Sequence, residues 1–197
     1  MRLNARLTGI GLAVAALGFW FAATRGGAAD SKETSGAVLK IAEAFEKKDM
    51  EGAKKQAAAL AASADIEDVM HSFSLRRAKG LGVGPKPGAI NPDGIEAKII
   101  DLSKKAKPAA QIQTEADALV QMGYVAAAIG EIANAKPPAK DEGKKKKKDW
   151  LTWSADMRDS ALAFADAAKT KNPMAVQKAA SKLYSSCTTC HAVFKDE

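Results

Sequence analysis

The two cysteines of the 197-residue chain stand three residues apart in the run Cys187-Thr188-Thr189-Cys190-His191, and this pair constrains the fold more than any other feature. Val176, Ala180 and Leu183 lead up to Cys187, and Phe194 follows Cys190, at steps of 4-3-4-3-4. That is the spacing of one helix face. Asn172-Pro173 ahead of it supplies an N-cap followed by proline at the first helical position. The last helix therefore carries both thiols on its inner face, with His191 beside them.

C-x-x-C-H is the attachment signature of c-type haem. Two thiols three residues apart on a helix point the same way, and each adds to one vinyl group of the porphyrin. The histidine that follows then lies under the iron as proximal ligand. The expectation is one covalently attached haem c on Cys187 and Cys190, with iron on His191. Rival readings fit less well. A thioredoxin-like dithiol needs its first cysteine at a helix N-terminus, where the thiol pKa is lowered, whereas this pair falls late in a helix. A structural zinc site wants four ligands, and His71 is the one other histidine. A plain disulfide remains as an alternative for an exported C-x-x-C.

The rest of the pattern is helical. Aromatics are 6% of the chain, β-branched runs are scarce, and alanine and lysine are abundant. Val38, Ala42 and Phe45 mark a helix over 35–48, and Asp49 caps a second one bearing Ala53, Ala57 and Leu60. Asp65 caps a short stretch with Ile66, Val69, Met70 and Phe73. Residues 75–94 are dense in glycine and proline and read as a mobile loop; the glycines lack any phosphate-binding spacing. Ile95, Ile99 and Leu102 mark a short helix before Pro108. A longer one over 114–134 has the stripe Ala118, Met122, Val125, Ile129 and Ile132. A solvated lysine-rich loop covers 135–149. Trp150, Trp153, Met157, Ala161, Phe164 and Ala168 define the next helix. The stretch from Phe45 to Leu60 faintly echoes that from Ala168 to Leu183; both read as helix, polar turn, helix.

From Trp150, through the polar turn at 169–173, to Cys187-Thr-Thr-Cys-His191-Ala-Val-Phe194-Lys195, the chain resembles the C-terminal half of the class II c-type cytochromes, cytochrome c-prime and its low-spin relatives. The match covers residues 150–195. The resemblance implies an all-α, four-helix-bundle-like haem domain, here with extra short helices and the long Gly/Pro loop. It also implies that the motif histidine, His191, is the proximal ligand, and it brings with it a homodimer, since such bundles often pair. The upstream half departs from the family pattern, and its helix order is not given by the resemblance.

Six residues follow His191 in this sequence, so a sixth iron ligand is expected from upstream. Met122 on its helix seam and Met70 on the Ile66/Val69/Phe73 face rank above His71, which points away from that face; an empty sixth position is the alternative. Arg76, Arg77 and Lys79 are within reach of a haem propionate on this reading. The expected function is that of a mono-haem single-electron carrier and not an enzyme. The alternatives are a five-coordinate haem protein binding NO or CO and, behind it, a peroxidase.

Arg2 and Arg6, the apolar run Leu7–Ala23 and the small residues Gly26-Gly27-Ala28-Ala29 have the order of a secretory signal. Residues 1–29 are therefore expected to be a signal peptide cleaved after Ala29 or, alternatively, an uncleaved membrane anchor. Residues 30–197 then form the cytochrome domain in the periplasm or another exported space. Without Arg2, Arg6 and Arg25 the formal charge falls from +7 to +4, which gives no nucleic-acid footprint. The run Lys144–Lys148 suits an acidic redox partner, though such blocks are usually just solvated loop.

Overall fold

A computed structural model of the chain describes residues 31–195; the N-terminal segment read as a leader or anchor lies outside them. The described residues form seven α-helices: α1 (Ser31–Glu46), α2 (Met50–Ser63), α3 (Ile66–His71), α4 (Ile95–Lys104), α5 (Ala109–Ala135), α6 (Lys147–Lys169) and α7 (Pro173–Phe194). Among these residues there is no strand. Isolated bridges pair Leu75 with Gly94 and Glu142 with Lys145, each drawing the two ends of a loop together. No described helix is long and apolar enough to cross a membrane.

The caps are those the sequence signals. Asp49 Oδ1 accepts from the Gly52 amide at 2.8 Å, Asp65 Oδ1 from Glu67 at 2.9 Å, and Asn172 Oδ1 from Met174 at 2.9 Å. Each satisfies an amide that has no partner within its helix. The echo between the two helical hairpins is visible in the backbone. Lys48 and Lys171 hold equivalent places, with φ of 60° and 55°, and each donates its amide three residues back, to Phe45 and to Ala168. Both turns thus use a left-handed lysine followed by an Asx cap.

The long α5 is the centre of the packing. It lies against α6 on one side and α1 and α2 on the other; α7 packs on α6 and α4. From Met122 to Ala133 every residue of α5 is buried, so this stretch has no solvent face and the single stripe expected there is too narrow a description. Small residues permit the approach to α6. A methyl group on Gly123 would lie 2.8 Å from Ala165 Cβ, and one on Gly130 would lie 2.8 Å from the Arg158 amide nitrogen. Ile129, Ile132, Phe164 and Leu183 are fully buried, each worth about 1.5–3 kcal/mol of transfer free energy.

α5 begins five residues before the expected Thr114, because Ala109–Gln113 are good helix formers behind Pro108. Its far end is fastened to α6. Trp150 Nε1 donates to the Ala133 carbonyl at 2.6 Å, and Asn134 Nδ2 donates to the Leu151 carbonyl at 2.9 Å. The Gly/Pro segment is held in place rather than loose, contrary to the expectation of a mobile loop. Asp93 accepts from Arg76 Nε at 3.0 Å and from the Val83 amide at 2.9 Å, and Val83 and Ile90 are buried. Lys98, fully buried, donates to the Asn91 carbonyl at 2.8 Å and pairs with Glu115 at 2.7 Å, tying this segment and α4 to α5.

Candidate functional site

The C-terminal half of α7, the N-terminal half of α6, the start of α4, the end of α5 and all of α3 enclose a cavity of about 580 Å³. That is within the range of ordinary cofactor pockets, ~300–1,000 Å³. α7 contributes Tyr184, Cys187, Cys190, His191 and Phe194; α6 contributes Trp150, Trp153 and Met157; α4 contributes Glu96 and Ile99; α3 contributes Ile66, Met70 and His71. The helix spacing of the sequence motif thus brings both half-buried thiols and the more exposed imidazole to one cavity. Phe194 meets Trp150 edge-on at 4.9 Å and Trp153 at 5.8 Å, forming an aromatic wall.

Partial burial in this wall changes the chemistry of the thiols. Burial, assisted by the nearby Glu96 carboxylate, pushes Cys187 from 9.0 to about 11, and burial pushes Cys190 to about 11. Both are free thiols. A dithiol oxidoreductase lowers its attacking thiol instead, so the environment opposes that reading. Burial, with the positive charge of Lys195, lowers His191, while Glu96 opposes. A neutral imidazole with a free lone pair is the form that ligates a metal.

The other ligand candidates fall into two groups. Met70 and His71 line the cavity, across from α7. Met70 is half-buried and packs on the core. His71, expected to point away, sits at the rim with Nε2 2.6 Å from the Ala78 carbonyl oxygen. A carbonyl only accepts, so Nε2 donates and Nδ1 is the ring nitrogen left for another contact. Nδ1 adjoins the carbon that attaches the ring to the chain, which crowds its approach to a flat macrocycle. Met122 does not line the cavity. It is buried about three turns of α5 before Ala133, ~16 Å at a rise of ~1.5 Å per residue.

Arg76 is committed elsewhere, to Asp93 and to the Gly84 carbonyl at 2.8 Å, and neither it nor Arg77 nor Lys79 lines the cavity. The cationic group that does is Lys195, with Glu67 and Glu96 on the α3 and α4 side. Met157, in the cavity wall and only 7% exposed, was legible as a member of the α6 stripe but not as a cavity residue. Among the described residues no three His, Cys, Asp or Glu side chains are grouped as ligands for a bare metal ion, whereas a structural zinc site uses four. No family model, curated protein or solved structure matches the chain.

Proposed function

We propose that this chain is an exported mono-haem c-type cytochrome that passes single electrons. One observation carries the reading: Cys187, Cys190 and His191 line the same mostly apolar cavity, together with Met70 of α3 and Met157 of α6. Cys187 and Cys190 would hold haem c as thioethers, and His191 would be its proximal ligand. Haem bound there supplies a one-electron iron couple whose potential is set by its axial ligands and the polarity around it. The run of neighbours α5–α6–α7–α4 is the bundle-like frame that the resemblance of residues 150–195 to class II cytochromes implies.

The chain's own residues have distinct tasks on this reading. The thiols, neutral and desolvated, stay protonated until they are attached. Trp150, Trp153 and Phe194 would supply an aromatic wall beside His191. Met70 is the leading sixth ligand, because it is the half-buried sulfur across from α7; His71 follows, and Met122 recedes because of its distance along α5. The export reading rests on the residue order of 1–29.

The test is to make the full chain in an exported compartment that attaches haem c, then record its reduced spectrum with and without CO and titrate it electrochemically. A reversible one-electron wave and a sharp low-spin spectrum unmoved by CO are expected. A broad high-spin spectrum that shifts with CO would replace electron transfer by binding of NO or CO. No wave in the physiological range would remove the electron carrier.

A further inference from the structure

Residues 136–149 comprise the connection from α5 and the first residues of α6, and lie between Ala133 and Trp150 of the cavity lining. Beyond residue 29 the chain has 27 basic and 23 acidic residues. This one segment holds seven lysines against three acids, and everything else after residue 29 holds twenty of each sign. The net charge is therefore carried by the segment between Ala133 and Trp150, both of which line the cavity.

Local stability does not explain the run. Lys146 is the N-cap of α6, and Lys147 and Lys148 lie in its first turn, where the helix dipole is positive and each cation costs ~0.3–1 kcal/mol. Asp149 in the same turn and Asp141, which accepts from the Lys147 amide at 2.8 Å, offset part of this. A local conflict of this kind, retained in an otherwise consistent helix, points to function. Lys147 stands three residues before Trp150, so the two share a face, and Trp150 is part of the aromatic cavity wall. Lys195 adds a cation to the cavity lining, and it and Glu96 both act on His191.

We infer that segment 136–149 is the docking surface for an acidic redox protein, steering it to the Trp150/Phe194 rim of the cavity. The inference rests on the electron-transfer reading above. A flat anionic lipid surface shares the charge chemistry, but it draws nothing from the place of the lysines next to the Trp150 wall of the cavity.

The experiment uses the holoprotein, reduced and then mixed with ferricyanide, so that one electron leaves the protein and ferrocyanide forms. Lys144→Glu/Lys147→Glu/Lys148→Glu is compared with Lys40→Glu/Lys54→Glu/Lys55→Glu, an equal charge change on α1 and α2 away from the cavity. At low ionic strength the first variant should be oxidised about tenfold more slowly than the parent, and the control far less affected. The gap should close at high salt, with spectrum and midpoint potential unchanged in both. Equal slowing in the two variants would overturn the inference, since net charge alone would then suffice. So would equal ferricyanide rates combined with sedimentation on phosphatidylserine vesicles that only the first variant loses, which would make the segment a membrane contact. A chain that takes up no haem would show no Soret band and would remove the electron-transfer reading and this inference together; a normal spectrum and wave with either overturning result would remove the docking surface alone.

Discussion

Reaction of the reduced, haem-free chain with a disulfide reagent such as DTNB reads the cavity wall through its two thiols. A rise in Cys187 from 9.0 to about 11 cuts the thiolate present at pH 8 by a factor of about 100. A more basic thiolate is intrinsically more nucleophilic, and with a Brønsted slope of ~0.4–0.5 this returns a factor of about 8. The net expectation is that the folded chain reacts about tenfold more slowly than the same chain in urea, with the pH midpoint of its rate near 11. The sign for stability follows. A thiol whose folded pKa is raised favours the fold fully below its unfolded value and loses that contribution as pH rises toward 11. For Cys187 the amount is about 3 kcal/mol. The assay is stopped-flow absorbance over pH 7–11, native and denatured. A native midpoint at or below 8.5, or a native rate above the denatured one, would refute the burial argument and restore the dithiol reading.

Three further outcomes follow from particular contacts. Met70→Ala in the holoprotein should open the iron to CO, whereas Met122→Ala should leave the spectrum alone and cost ~2–5 kcal/mol of stability in denaturant melts, because Met122 is buried at a distance from the cavity. Gly130→Ala should destabilise by ~1–3 kcal/mol despite its better helix propensity, since the new methyl group would press on the Arg158 backbone; a gain in melting temperature would contradict the packing. The amide bond from Val83 and the Arg76 guanidinium hold Asp93 below its ordinary value against the opposing effect of burial. Its contribution is therefore present above about pH 4 and lost as pH falls through the folded value. Asp93→Asn should remove that acid-side loss and raise amide exchange across 76–90 at pH 7, and unchanged exchange would count against Asp93 as the anchor of that segment.

The helices and caps were readable because a buried face repeats every three or four residues and because Asp49, Asp65 and Asn172 have side chains that accept from the first helical amides. The same periodicity tells which face a residue occupies but not how far along the bundle it lies. This is why Met122 and Met70 ranked alike in the sequence, although one sits in the closed core and the other beside the motif. It is also why Met157 passed for ordinary packing. Order in the Gly/Pro segment was missed because glycine and proline density reports turns and says nothing of what ties them down. The signal was Asn91-Pro92-Asp93-Gly94, where a carboxylate at a turn can gather loop amides. The near-complete burial of α5 from Met122 to Ala133 was hidden because a helix packed on both sides has no polar face to set its phase.

The central claim is that haem is attached at Cys187 and Cys190, and intact mass after unfolding in acid tests it most directly. Expressed with haem-attachment machinery in an exported compartment, the chain should retain the mass of one haem under denaturing conditions, with the adduct on the tryptic peptide containing Cys187 and Cys190. Replacing both cysteines by alanine should abolish it. A chain of unmodified mass, with both thiols still titratable after export alongside a control cytochrome that is fully loaded, would contradict the account.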